Sequence, residues 1–145
     1  VCSSDLPYRP FLSWAAQAEA LETSPLGVAM HPRYGLWHAY RFALGFTDES
    51  VEQDAPMTSP GICAACAQKP CLHSCPVKAI TKNGYDVDRC YQYLAADPSA
   101  PCHSRGCIAR QACPEAREWR YENAQAAFHM AAFVHAQFTQ RVEDR

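Results

Sequence analysis

The sequence predicts an α+β fold with flanking helices and a short N-terminal strand pair, built around a segment where cysteines stand in for an apolar core. Three observations predict it. Eight of the nine cysteines fall between residues 63 and 113. That stretch is poor in core-formers: its bulky apolar residues are Leu72, Val77, Ile80, Val87, Leu94 and Ile108, with three tyrosines. Apolar runs with a clear period lie only on either side of it.

The elements follow in order. Residues 1–6 read as the translation of a sequencing adapter, an assembly artefact, and the expected gene extends upstream; Cys2 is then not a biological cysteine. Residues 7–46 form an N-terminal helix and hairpin, expected to be the end of a truncated domain. Pro10 sits in the first turn of a helix that runs to Leu21 and stops at Ser24-Pro25-Leu26-Gly27. Val28 to Met30 is a short strand, and His31-Pro32-Arg33-Tyr34-Gly35 is a turn. Alternation of Leu36, His38, Tyr40, Phe42, Leu44 and Phe46 predicts a second strand. Residues 47–60 are polar with two prolines and read as a linker. Residues 61–116 are the cysteine segment. Within it, Pro76 to Ile80 is expected as a helical turn, and a short helix over 88–94 is capped by Asp86 or Asp88. Residues 117–145 belong to a long C-terminal helix, whose apolar pattern starts near Glu115. Its stripe of Ala124, Ala127, Phe128, Ala131, Val134, His135, Phe138 and Val142 is expected to pack on the cysteine segment. Met130 and Phe133 widen that stripe, so packing on more than one side is expected.

At 145 residues the chain is one domain, or a small domain with an appendage. A formal net charge of −2 argues against a nucleic-acid partner, which would call for a basic patch. No apolar run approaches the length of a membrane span. The expected location is cytoplasmic.

The cysteine spacing carries the chemistry. The first run is Cys63-x2-Cys66-x4-Cys71-x3-Cys75-Pro76, and the second is Cys102-x4-Cys107-x5-Cys113-Pro114. Cys90 stands alone between them. Thiolates are soft and anionic, which is what iron–sulfur clusters need. A tight loop brings three of them to one cube, and a fourth ligand followed by proline comes from farther away. In two-cluster ferredoxins the fourth cysteine of each run crosses to the other cluster. Applied here, one 4Fe-4S cluster takes Cys63, Cys66, Cys71 and Cys113, and the other takes Cys75, Cys90, Cys102 and Cys107. No ligand is left over. The alternative is two independent loops, in which Cys90 joins Cys102, Cys107 and Cys113. Four disulfides or zinc would also use these thiols, but two Cys-Pro endings fit neither well. His73 and His103, inside the runs, are expected as loop residues; Lys69, Lys78, Arg105 and Arg110 are cations near the clusters. Trp14, Trp37 and Trp119 are read as packing residues, and His129 and His135 as ordinary helix residues.

The segment from Cys63 to Ile80, ending Cys-Pro-Val-Lys-Ala-Ile, followed by Asp-Val-Asp-Arg-Cys90-Tyr-Gln-Tyr-Leu, resembles the double-cluster domain of epoxyqueuosine reductases and related cobalamin-dependent reductases. The resemblance covers roughly residues 61–116, with a fainter likeness over 27–46. It implies a ferredoxin-like double-cluster domain, with Cys90 opening the second ligand set. The sequence departs from that family in its x4 and x5 spacings, and no cobalamin-binding body lies upstream in these residues. The expected function is therefore one-electron transfer to a redox partner protein, more that of a carrier than of a catalyst. The alternative is the electron-feeding piece of a cobalamin-dependent reductase.

Overall fold

Prolines and close-set cysteines keep the elements short in the computed structural model, which describes residues 11–42 and 61–143. The expected adapter-derived residues, the linker and residues 43–46 lie outside the described residues. The chain mixes helices with two small antiparallel strand pairs, an α+β arrangement.

Helix α1 spans Phe11–Ala18 and ends before Leu21, because Glu22–Thr23 (β1) is taken into a strand pair with Ala29–Met30 (β2). The register sets Glu22 against Met30 and Thr23 against Ala29. Ser24 closes the connection, its Oγ donating to the Val28 carbonyl at 2.6 Å. The strand expected at Val28–Met30 is thus present in part, but its partner precedes it. The second expected strand is absent from the described residues 36–42. The physical reason lies in the preceding turn. His31 and Gly35 bridge to each other, and the His31 Nδ1 accepts from the amides of Arg33 and Tyr34. The chain leaves that turn with consecutive Leu36 and Trp37 both buried, at 1% and 5% exposure. A strand would send neighbours to opposite faces.

Helix α2 spans Ile62–Ala65, and a 3-10 turn covers Pro70–Leu72. Residues 76–80 are not helical, contrary to expectation. Lys78 takes a left-handed φ of 54°, which ends any helical run, and Ile80–Thr81 (β3) pairs with Gly84–Tyr85 (β4). Asp86 then caps α3, Val87–Ala96, by accepting from the Arg89 amide at 2.9 Å. Pro101 opens α4, Pro101–Arg105, and α5 spans Ile108–Gln111. A 3-10 turn at Arg117–Trp119 precedes α6, Asn123–Glu143. The last helix therefore begins later than the apolar pattern suggests, because Ala116 is left-handed at φ 51°.

Two apolar clusters hold these pieces together. The first joins Leu26, Met30, Leu36 and Trp37 to Ile80, Ala109 and Cys113, so residues 11–42 and the cysteine segment share one core. The second gathers Leu94, Ala100, Cys102 and Met130, binding α3, α4 and α6. Helix α6 approaches the end of α4 very closely: a Cβ on Gly106 would lie 2.6 Å from the Ala126 Cβ. Ala126 and Met130 are the buried residues of α6, with Phe133 and Val134 partly so. The expected stripe is corrected by this packing. Phe128, Phe138 and Val142 are exposed, at 70%, 58% and 57%, because Gly106 admits the helix only along the Ala126–Met130 face. Among the described residues no helix is long and apolar enough to cross a membrane.

Candidate metal centre

The first thiol set is assembled by short elements that each deliver one or two sulfurs. Helix α2 carries Cys63 and ends at Cys66, the Pro70–Leu72 turn carries Cys71, and Cys113 arrives from the end of α5. All four line one cavity, together with Leu26, Met30, Leu36 and Ile62. Burial pushes the Cys63 thiol up to about 11, followed by the Glu22 carboxylate and the charges of Cys113, Cys71 and Cys66. Burial likewise raises Cys71, against the Leu72 amide, with Cys66 adding to the rise and Lys69 opposing it. Burial raises Cys113, against the Glu115 amide, with Cys71 and Cys66 adding.

The second set forms around α3 and α4. Cys90 lies on α3, Cys102 on α4, Cys107 just before α5, and Cys75 at the turn into β3. Burial raises Cys90; the Tyr85 hydroxyl opposes this by hydrogen bonding to its sulfur, and Cys75 and Cys102 add to it. Burial raises Cys102 against the Ile108 amide, and Cys75 adds to the rise. Burial raises Cys107 against the Arg110 amide, with Cys102 and Cys90 adding. Every cysteine that acts on another thiol in these shifts acts within its own set. Cys75 and Cys113 each sit with the run to which they do not belong in sequence.

Comparison with protein-family models, characterised proteins and solved structures finds no match. All eight cysteines from Cys63 to Cys113 are free thiols, so the disulfide reading gains nothing. Among the described residues, no three His, Cys, Asp or Glu side chains converge tightly enough to hold a single metal ion. Four thiolates about 2.3 Å from one zinc stand roughly 3.8 Å apart. Ligands of a four-iron cube bind separate irons and stand wider. The donor chemistry fits such a cube: four half-buried thiols repel one another once ionised, so they hold charge together only around cations.

Backbone amides point at these sulfurs. The Ala79 N–H donates to the Cys75 Sγ at 3.3 Å, and the Lys78 amide closes the same turn on the Cys75 carbonyl at 3.1 Å. One amide does the opposite. The Cys63 N–H donates to the Glu22 carboxylate, at 3.1 and 3.3 Å to its two oxygens.

Other expected neighbours sort unevenly. Lys69 lines the first cavity. Lys78 and Arg105 are exposed, and the Arg110 guanidinium bonds to the Leu36 carbonyl and lies over the rings of Trp37 and Tyr121. His73 is exposed, and the His103 Nε2 is tied to the Leu94 carbonyl at 3.0 Å, away from any ligand role. His129 stacks on Tyr121, while His135 is exposed. Trp37 is a buried packing residue, as expected; Trp14 and Trp119 are 43% and 44% exposed. Sequence reasoning missed Glu22 and Tyr85. Glu22 carries no motif, but Tyr85, on β4, lies five residues before Cys90, a signal of local approach.

Proposed function

We propose that this chain is a ferredoxin-like electron carrier with two 4Fe-4S clusters, exchanging single electrons with a redox partner protein. One observation carries the reading: eight free thiols sort into two sets of four that cross between the two sequence runs. Each cluster, when bound, takes up and releases one electron at a potential set by burial, local charge and hydrogen bonds to sulfur. The chain's own residues supply those terms. Amides at Leu72, Ala79, Ile108, Arg110 and Glu115 and the Tyr85 hydroxyl donate toward cysteine sulfur and disperse its charge. Glu22 adds negative charge beside Cys63, which favours a lower potential at the first site.

Anaerobically reconstituted protein is expected to carry about eight irons and eight sulfides per chain. Cys75→Ser and Cys90→Ser should perturb the same electron paramagnetic resonance signal, and Cys113→Ser the other. A stable zinc protein, or four irons with four reactive thiols, would sink the two-cluster reading. A shared signal for Cys75→Ser and Cys63→Ser would sink the crossing.

A second reading, the electron-feeding piece of a cobalamin-dependent reductase, is favoured by one observation. Leu12, Trp14 and Phe42 expose apolar surface on the N-terminal unit, suited to a further domain. Recovery of the full-length gene decides between the two, since the reductase needs a long α/β domain upstream.

A further inference from the structure

Charge is unevenly placed along this chain. All three lysines, Lys69, Lys78 and Lys82, lie between Cys66 and Tyr85, and the residues from Gly61 to Tyr85 include no Asp or Glu. The chain as a whole is acidic, with a formal net charge of −2. None of the three lysines pairs with a carboxylate among the described residues. Lys78 and Lys82 are exposed, and Lys69 is half-buried. A local excess of one sign on unpaired side chains draws an oppositely charged partner and raises its rate of encounter.

The same stretch walls an open cleft of about 500 Å³. One side is β1 with the turn that follows it, the other is the β3–β4 hairpin, and Lys69 and Lys82 stand in the lining. Cys63, a thiol of the first set, lines the cleft. Tyr85 lines it as well, and its hydroxyl bonds to the Cys90 sulfur of the second set. Both thiol sets therefore reach this opening through a single residue each. Two acids lie close by, and both are engaged. Glu22 accepts the Cys63 amide at 3.1 and 3.3 Å. Asp86 accepts the Arg89 amide and pairs with the Arg89 guanidinium at 3.8 Å.

We infer that this cleft is the electron port of the carrier, and that it receives a redox partner protein through an acidic surface. The port rests on the two-cluster reading; the preference for an acidic surface does not. Carboxylates of the partner sit against Lys69 and Lys82, which brings its redox group to Cys63 and Tyr85. An electron then crosses one side chain at the edge of either thiol set instead of the protein interior. Lys69 already acts on the first set, where its charge opposes the rise of the Cys71 thiol. A basic partner meets like charge here, and like charges across an interface suppress the wrong partner. Because the lysines are open to solvent, salt screens the attraction.

Two cobalt(III) complexes of opposite charge test the port, by stopped flow on anaerobically reconstituted and reduced protein. Anionic cobalt(III)–EDTA stands in for an acidic partner, and cationic hexaamminecobalt(III) for a basic one. Each takes one electron and becomes cobalt(II), and no proton moves. Oxidation by the anionic complex should slow about threefold or more when Lys69→Gln and Lys82→Gln are combined, and also with added salt. Oxidation by the cationic complex should not slow. Arg33→Gln with Arg117→Gln changes the net charge equally but outside the cleft, and should leave the anionic rate unchanged. Equal salt dependence for both complexes, or an equal loss in the arginine pair, overturns the port. A second readout needs no electron transfer. Calorimetric titration with hexaglutamate at low salt should show binding that the lysine pair loses. No binding, or binding that the lysine pair keeps, overturns the acidic partner. Oligothymidylate that binds more tightly than the peptide overturns it too and gives this face to nucleic acid. Iron analysis separates the two failures: a wild-type chain that takes up no iron sinks the cluster reading, while the titration still decides the cleft. Circular dichroism equal to wild type verifies that each variant is folded.

Discussion

Tyr85 and Glu22 do opposite things to the two thiol sets. The Tyr85 hydroxyl donates to the Cys90 sulfur, and burial, followed by that bond, raises the phenol well above its ordinary range. Glu22 instead accepts the Cys63 amide on its carboxylate and sets negative charge beside that thiol. Removing the Tyr85 hydroxyl withdraws charge stabilisation from the second site alone. Tyr85→Phe should lower the potential of the proposed second cluster by about 65–130 mV, the one-electron equivalent of one hydrogen bond to a charged group. The first site should not move. A redox titration followed by electron paramagnetic resonance reads both; a shift confined to the first site, or none, would assign Tyr85 to packing. Backbone strain is also concentrated beside the thiols. Lys69, Lys78 and Ala116 are the left-handed non-glycine residues described, and they follow Cys66, Cys75 and Cys113 at the same three-residue interval. Both Cys-Pro turns therefore end alike, each at a cost of about 1–2 kcal/mol.

Between elements, the contact of α6 with the end of α4 is the closest in the molecule's described glycine positions. Gly106 has φ 78° and faces the Ala126 Cβ, so a methyl group there is opposed by both backbone and space. Gly106→Ala should cost about 1–3 kcal/mol from overpacking, with roughly 1 kcal/mol more from the left-handed backbone. Thermal unfolding followed by circular dichroism checks this, and an unchanged midpoint would mean that α6 shifts freely along α4. This contact also explains what the sequence did and did not reveal. The α3 cap and the cysteine runs were legible, because each acts through residues adjacent in the chain. The Val28–Met30 strand was legible in part, but its partner depends on a turn built by the His31 side chain. The buried face of α6 was not legible. Two apolar stripes share that helix, and only a glycine far away in sequence selects the Ala126–Met130 stripe. Glu22 reaches Cys63 across forty-one positions, a distance at which periodicity carries no information.

For the whole molecule, both apolar clusters contain thiols. Cys113 belongs to the first and Cys102 to the second, with Cys63, Cys71, Cys75, Cys90 and Cys107 packed against them. The cores are small, and residues 61–116 have too little apolar surface to offset chain entropy alone. Stripping iron from the proposed holo protein with a chelator should melt this segment, while α6 retains part of its helical signal. Near-ultraviolet dichroism and limited proteolysis read the change; identical traces before and after would place stability elsewhere. In the proposed two-cluster carrier, the crossing of Cys75 and Cys113 would have a consequence for supply. Each run holds sulfurs for both sites, so filling either one aligns ligands for its neighbour. Where iron is scarce, chains should then divide into empty and full rather than share a half-load evenly. Such a population answers a shortage by changing how many molecules work, not how well each of them does.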